Sequence, residues 1–157
     1  MRLIGQLLFA LSLMALGHAR ACERTLLGTW KSDSKRSMEF IAANAILRPK
    51  TEAFLGAMLG HMTMTFTSNA LHTVMPDVDV TVDGQLRHLT GFEESKPYKT
   101  LFCNKSEIVW SAKRAFGKEE DVTTFQFVGP DTIWVYMGST DPLVPDLNAR
   151  EYFQRVQ

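Results

Sequence analysis

The two cysteines are the residues whose chemistry depends most on where the chain resides. Cys22 and Cys103 are the only cysteines of the sequence. In an oxidising compartment an even pair most simply forms a disulfide, which would tie the start of the mature chain to its middle. Cys22 also comes directly after a candidate signal-peptidase site at Ala21. A cysteine in that position is acylated in bacterial lipoproteins. The residues leave lipidation and two free thiols open, and they favour the disulfide.

Histidines and carboxylates are the other candidates for chemistry, but their spacing indicates no metal or catalytic site. His61, His72 and His88 lack ligand spacing, so we expect surface or hydrogen-bonded histidines. The run DVDVTVDG at 77–84 superficially resembles a calcium loop. Its glycine comes too late, and the alternating valines predict a strand with an acidic solvent face. No nucleophile elbow, phosphate-binding glycine loop or zinc motif is present. We therefore predict no enzyme, no metal and no cofactor.

An export signal is predicted at residues 1–21. Arg2 precedes an almost wholly apolar run from Leu3 to Leu16, and Ala19-Arg20-Ala21 places small residues where a signal peptidase reads. The run is too short for a membrane span, and no later stretch reaches about 20 apolar residues. We expect a periplasmic or secreted protein with no transmembrane segment and one domain over residues 22–157. Losing the signal's two arginines leaves 15 basic against 17 acidic residues, a net charge of −2 that argues against nucleic-acid binding.

Hydrophobic periodicity predicts one strand followed by two short helices. Trp30 lies in the strand, and its size predicts a largely buried ring. The first helix ends before Pro49, and its apolar face comprises Met38, Ile41, Ala42, Ala45 and Ile46. Thr51 is a candidate N-cap for a second helix, which carries Phe54 and Met58 on one stripe and ends near Gly60.

From His61 onward the period is that of strands. Asp83-Gly84 is a strong signal for a two-residue hairpin turn, and Glu93-Glu94 is interpreted as a solvated turn. The predicted strands are 62–67, 71–75, 78–82, 85–92, 100–103, 107–113, 122–128, 132–137 and 150–156, with a proline-containing loop at 141–148. Strands joined by tight turns pair antiparallel, and a long meander closes to remove its edges. The sequence therefore predicts a mainly β protein: a closed antiparallel up-and-down β-barrel of about eight to ten strands, with a two-helix hairpin after the first strand.

This layout resembles the calycin superfamily of lipocalins and fatty-acid-binding proteins. Gly28-Thr29-Trp30 near the start and Arg150-x-Tyr152 near the end carry the resemblance. In fatty-acid-binding proteins two helices also follow the first strand, whereas lipocalins share the G-x-W opening and include exported bacterial members. The resemblance implies an exported bacterial barrel around a cavity.

The resemblance also implies a role for Arg150 and Tyr152. In fatty-acid-binding proteins the arginine and tyrosine of the final strand hold the ligand carboxylate. A guanidinium fork suits a carboxylate, and a phenol adds a neutral donor. Alternatively, a late arginine of calycins packs across the early tryptophan and closes the barrel by a cation–π contact. Either Arg155 or Arg150 could do this across Trp30, which would then be a structural plug at the barrel floor.

The methionine-rich stripe is the remaining candidate for a binding wall. Met58, Met62, Met64 and Met75 could line an adaptable pocket, although ordinary core packing is the favoured interpretation of each one. If a cavity is present, the helices around Phe54 and Met58 would form its lid.

Two functions are compatible with these features. The first is an exported barrel that binds a small apolar ligand such as a fatty acid or another lipid carboxylate, held by Arg150, Tyr152, Phe54, Met58 and Met64. The second is a periplasmic or secreted protein-binding barrel, an inhibitor or immunity protein of a hydrolase, that uses its outer loops. A lumen filled by its own aromatic rings would favour the second, and a cavity of several hundred Å³ would favour the first.

Overall fold

A computed structural model describes residues 22, 24–82, 84–113, 119–137 and 148–156. The predicted export signal at residues 1–21 lies outside them, as do Asp83 and most of the predicted loop at 141–148. The elements run in the order β1 Gly28–Asp33, α1 Ser34–Asn44, α2 Pro49–Met58, β2 Thr63–Phe66, β3 Ala70–Met75, β4 Val78–Val82, β5 Gln85–Leu89, β6 Phe92–Cys103, β7 Glu107–Lys113, β8 Glu120–Phe127, β9 Thr132–Tyr136 and β10 Arg150–Val156.

Eight of the described strands form a closed antiparallel barrel, in the order β1-β10-β9-β8-β7-β6-β3-β2. The barrel closes because β1 pairs with β2 on one side and with β10, the last described strand, on the other. β4 and β5 form a separate two-stranded sheet inserted between β3 and β6. The predicted barrel is therefore confirmed. The hairpin around Asp83-Gly84 also forms, with Val82 opposite Gln85, but it stands outside the barrel wall.

The two helices follow β1, but α1 ends earlier and α2 begins earlier than the sequence predicts. The side chain of Asp33 accepts a hydrogen bond from the Arg36 N–H and caps α1, which ends at Asn44. α2 begins at Pro49 and not after a Thr51 cap, because proline has no N–H to leave unpaired in a first helical turn. α1 lies mainly against β10 and α2 mainly against β4, so the helices pack more on the sheets than on each other. Neither helix is long and apolar enough to cross a bilayer.

The turn predicted at Glu93-Glu94 is wrong, because β6 runs through it. Glu93-Glu94, interpreted from sequence as a turn, lies inside this 12-residue strand. Its first half pairs with β3 as far as Pro97, and its second half pairs with β7 from Tyr98 onward. Within this strand Lys96 forms an ion pair with Glu94, N···O 3.2 Å.

Trp30 closes one end of the barrel, which we call the floor. Its ring is fully buried, and its Nε1–H donates to the Leu26 carbonyl at 2.6 Å. The Arg155 guanidinium lies 4.1 Å from the ring centroid, so Arg155 and not Arg150 makes the cation–π contact. Arg155 also donates to the Thr25 and Leu27 carbonyls, which holds the N-terminal segment against the last strand.

A disulfide joins Cys22 to Cys103 at the same end, with a Cα–Cα distance of 5.5 Å. It fastens the segment before β1 to the end of β6. The predicted pairing of the two cysteines is therefore confirmed. The opposite end, which we call the mouth, carries α1, α2 and the β4–β5 hairpin, because β1 and β3 both end there.

Truncating Trp30 should strongly destabilise the barrel. We expect Trp30→Ala to lower the free energy of unfolding by roughly 3 kcal/mol or more, since a large buried ring leaves a cavity. Urea unfolding measures the loss, and Phe102→Ala serves as the control because its ring is 51% exposed. Equal unfolding free energies for Trp30→Ala and the wild type would contradict the role of Trp30 as the floor.

Removing the disulfide should also destabilise the protein. The bridge spans a sequence separation of 81 residues, for which chain entropy gives on the order of 4 kcal/mol. The double variant Cys22→Ser/Cys103→Ser should unfold at a correspondingly lower urea concentration, and fully reduced wild-type protein should match it. An unchanged midpoint for both samples would show that the bridge adds no stability.

Candidate functional site

Arg150 and Tyr152 share a face of β10, but this face is the outside of the barrel. Phe153 belongs to the buried barrel core together with Trp30. Because strand side chains alternate, Glu151 points inward with Phe153, and the two predicted carboxylate ligands point outward. The structure therefore does not bring Arg150 and Tyr152 to a lumen.

On the outer face these two residues hold α1 against the barrel. The Arg150 guanidinium lies 4.3 Å from the ring centroid of Phe40 on α1 and 3.9 Å from that of Trp134 on β9. The ring of Tyr152 contacts the ring of Phe40. The backbone N–H of Tyr152 donates to the Ser37 hydroxyl at 2.9 Å. The cation–π contacts of Arg150 and the ring contact of Tyr152 therefore give both residues a structural role.

The lumen near the floor is filled by aromatic rings. Phe66 contacts the rings of Tyr98, Trp110 and Phe125 at centroid distances of 5.5 to 6.1 Å, all close to perpendicular. Edge-to-face geometry is favourable for such a cluster. Met64 is 6% exposed in the same core, so it packs the interior and does not line an open cavity.

Towards the mouth, the inner wall becomes polar. In the register of β3 and β6, Glu94 lies opposite Thr73 and Lys96 lies opposite Leu71. Because Thr73 and Leu71 face inward, both charged side chains point to the lumen. Glu151 is 7% exposed, and its Oε1 accepts a hydrogen bond from the Ser32 hydroxyl at 2.6 Å. Burial raises the pKa of Glu151, and the hydrogen bond from Ser32 offsets part of the rise.

Of the other predicted ligand residues, Phe54 lines a pocket outside the barrel wall and Met58 lies beside it. A cavity of about 270 Å³, which we call the lid pocket, lies between α2 and the β4–β5 hairpin. Its walls combine apolar side chains with two cations: Lys50, Thr51, Phe54, Val80, Val82, Arg87 and Leu89. Met58 packs on the valine cluster beside the pocket, together with Met62 and Met75. The methionine stripe therefore connects the barrel core to the lid pocket.

The hairpin owes its two faces to alternation. Val78, Val80 and Val82 are buried towards α2, and Asp79 and Thr81 are exposed, as the sequence predicts. Gly84 adopts a φ of +74° in the two-residue turn, a conformation that glycine reaches without steric cost.

Sequence reasoning missed Arg87 as a candidate ligand residue. The turn register places Arg87 opposite Val80, on the valine face of the hairpin. A two-residue turn after Val82 is enough to derive this pairing, so the signal was present in the sequence.

Two further cavities have a more polar lining. One of about 310 Å³ lies at the α1–α2 corner and carries the carboxylate of Glu52. The other, of about 220 Å³, lies beside the disulfide and includes Arg24, Tyr98 and Thr100. Across the described ranges, no three His, Cys, Asp or Glu side chains are grouped to hold a metal ion. His88 is instead hydrogen-bonded to Asp79 at 2.9 Å on the exposed face of the hairpin.

The buried Glu151 should make stability depend on pH. Because its pKa is raised in the folded state, the folded protein keeps this proton at pH values where the unfolded chain has lost it. The free energy of unfolding should therefore fall as the pH rises from the ordinary glutamate pKa through the folded-state pKa. Urea unfolding over this range should show a shallower decline for Glu151→Gln. An identical decline in both proteins would show that Glu151 is not the group responsible.

Comparison with known proteins assigns no family to this arrangement. No protein-family model matches the chain, and neither a curated protein nor a solved structure is significantly similar to it.

Proposed function

We propose that this protein binds a small apolar molecule with an anionic head group in the lid pocket. The observation that carries the proposal is the pocket itself, in which four apolar side chains meet two cations. Small-molecule sites are concave and mostly apolar, with a few polar groups that orient the ligand. The proposed activity is binding, with no catalytic step.

The size of the pocket limits the ligand. A volume of about 270 Å³ equals that of roughly nine water molecules in the liquid, so a ligand with on the order of ten non-hydrogen atoms fits. A medium-chain fatty acid such as octanoate has this size. Its alkyl chain would lie against Val80, Val82 and Leu89, and Phe54 would cover it from α2.

The charges favour a carboxylate over a neutral head group. Arg87 projects from the valine face of the hairpin, and Lys50 lies in the first turn of α2 on the opposite wall. A guanidinium beside an apolar surface binds a carboxylate by paired, charge-assisted hydrogen bonds. In this proposal Arg87 and Lys50 take the role that the family resemblance assigns to Arg150 and Tyr152.

Export and a calycin-like ancestry remain part of the proposal. The disulfide supports an oxidising compartment such as the periplasm or the exterior. The order of one strand, two helices and an antiparallel meander supports the resemblance to the calycins.

The protein-binding barrel is the second candidate, and one observation favours it. The aromatic cluster around Phe66 and Trp110 occupies the lumen that a lipid carrier would leave open. In that case the mouth elements would contact a hydrolase or another protein partner. Native mass spectrometry of the protein isolated from its own host separates the candidates, because a co-purified small amphiphile supports the first.

Arg87→Gln tests the proposed ligand. We expect octanoate binding to weaken by about 1–2 kcal/mol, because the carboxylate loses a charged donor, while binding of octanol stays unchanged. Calorimetry of both ligands with the variant and the wild type measures the difference. Lys31→Gln is the control, since it removes an exposed cation from β1 outside the pocket lining.

A pocket-filling variant tests the location. Thr51→Trp should weaken octanoate and octanol together, because the indole would occupy the volume between the walls. Equal losses for acid and alcohol in Arg87→Gln would mean that Arg87 supports the hairpin and does not bind the carboxylate. If the wild-type protein binds neither compound, the ligand proposal fails and the protein-binding candidate gains support.

A further inference from the structure

A chain of two hydrogen bonds, one buried and one partly buried, connects the barrel interior to the segment after α2. The Ser32 hydroxyl donates to Glu151 Oε1 at 2.6 Å and accepts from the Gly60 N–H at 2.8 Å. Ser32 and Glu151 are 6% and 7% exposed, so water competes little for either bond. Gly60 follows α2 almost directly, since the helix ends at Met58.

Gly60 is held closely against the start of α1. Its φ is +96°, and a Cβ at this position would lie 2.8 Å from the Cβ of Ser34. The Ser32 N–H also donates to the Met62 carbonyl at 2.9 Å. Ser32 therefore contacts the connection between α2 and β2 through both its side chain and its backbone, and this connection fixes the end of α2.

The hydrogen-bond direction depends on the charge of Glu151. An ionised carboxylate only accepts, so the Ser32 hydrogen points to Glu151 and the Ser32 oxygen faces the Gly60 N–H. Hydrogen bonds to an ionised acceptor are roughly twice as strong as neutral ones. A protonated carboxyl would weaken this bond or donate to the Ser32 oxygen itself. A hydroxyl that donates to an anion is also a better acceptor, so protonation of Glu151 would weaken the hydrogen bond from the Gly60 N–H as well.

The titratable groups around Glu151 can be placed by strand parity. β1 presents Ser32, the α2–β2 connection presents Gly60, and β9 presents Val135, none of which titrates. Across the lumen, β6 presents Glu94 and Lys96, which are paired with each other. The remaining charged or titratable neighbours lie on the opposite sheet face or at an exposed position: Asp33, Arg36, Arg150 and His61.

We propose that Glu151, acting through Ser32 and Gly60, positions α2 and thereby couples ligand affinity in the lid pocket to pH. Ionised Glu151 holds the end of α2, and with it the wall that carries Phe54 and Lys50. Protonation loosens that wall and favours release of the ligand in acid. The inference rests on the proposed function for its ligand, and on the hydrogen-bond chain alone for its effect on α2.

Binding of an alkyl sulfonate matched in length to octanoate tests the coupling, because this head group stays ionised in acid. We expect wild-type affinity to be about fivefold lower on the acid side of the folded-state pKa of Glu151 than well above that pKa, at the lower end of typical coupling free energies. Glu151→Gln and Ser32→Ala should bind with the weaker affinity at both pH values. Glu94→Gln is the matched control and should keep the wild-type dependence, because Glu94 also faces the lumen but is outside the chain. The hydrogen bond to Asp79 raises the pKa of His88, and any pH dependence that His88 adds is common to all four proteins.

Amide hydrogen exchange of the ligand-free protein gives a readout that needs no ligand. Exchange at Gly60 and Leu59 should be faster in acid than the intrinsic rate predicts in the wild type, and Glu151→Gln should remove this change. If no protein binds the sulfonate but this exchange pattern appears, the proposed function fails and the hydrogen-bond coupling stands. If Glu151→Gln keeps the wild-type pH dependence in both measurements, the coupling is overturned, whatever the ligand.

Discussion

The pairing of β1 with both β2 and β10 is the constraint on which the remaining structure depends. It closes the barrel and leaves no exposed edge along β1. The register of this pairing places Trp30 opposite Arg155, so that the floor is closed by a buried ring under a guanidinium. The disulfide and the Leu26 carbonyl then hold the segment before β1 against the same end. The floor is therefore held by a covalent bond as well as by hydrogen bonds.

The same pairing determines what the two faces of β10 do. Once Phe153 is in the core, Arg150 and Tyr152 must lie outside, where Phe40 and Ser37 of α1 cover them. Inside, Glu151 meets Ser32 of β1. The outer face of β10 thus anchors α1. Its inner face is connected through Ser32 of β1 to Gly60, which follows α2, so both helices are linked to the barrel wall.

The mouth differs from the floor in the composition of its elements. The inserted β4–β5 hairpin and α2 enclose an apolar pocket whose cations lie on facing walls, at Arg87 and Lys50. The valines that line the pocket belong to a cluster that includes Met75 and Met62, and Met62 also packs against the barrel core. Movement of α2 would therefore change the pocket while leaving the aromatic floor intact, which is the arrangement expected of a binding site on a stable scaffold.

The sequence by itself determined the elements that depend on local patterns. Alternating valines and a turn signal predicted the β4–β5 hairpin, and the size of Trp30 predicted its burial. Two cysteines in a chain with a predicted export signal predicted their bridge. Local signals misplaced the start of α2, because a proline such as Pro49 can follow the end of a helix or occupy its first turn. They also missed the middle of β6, because its charged residues resemble a solvated turn although Glu94 and Lys96 pair with each other.

Only the tertiary structure decided which face of each strand meets the core. Alternation along β10 shows that Arg150 and Tyr152 share a face, but the pattern reads equally well with either face inward. The orientation of β10 is determined by its packing, because Phe153 joins the barrel core and α1 covers the opposite face. The location of the pocket was decided in the same way, because α2 packs on a hairpin outside the barrel wall. Such contacts join residues far apart in the chain, and no local pattern in the sequence records them.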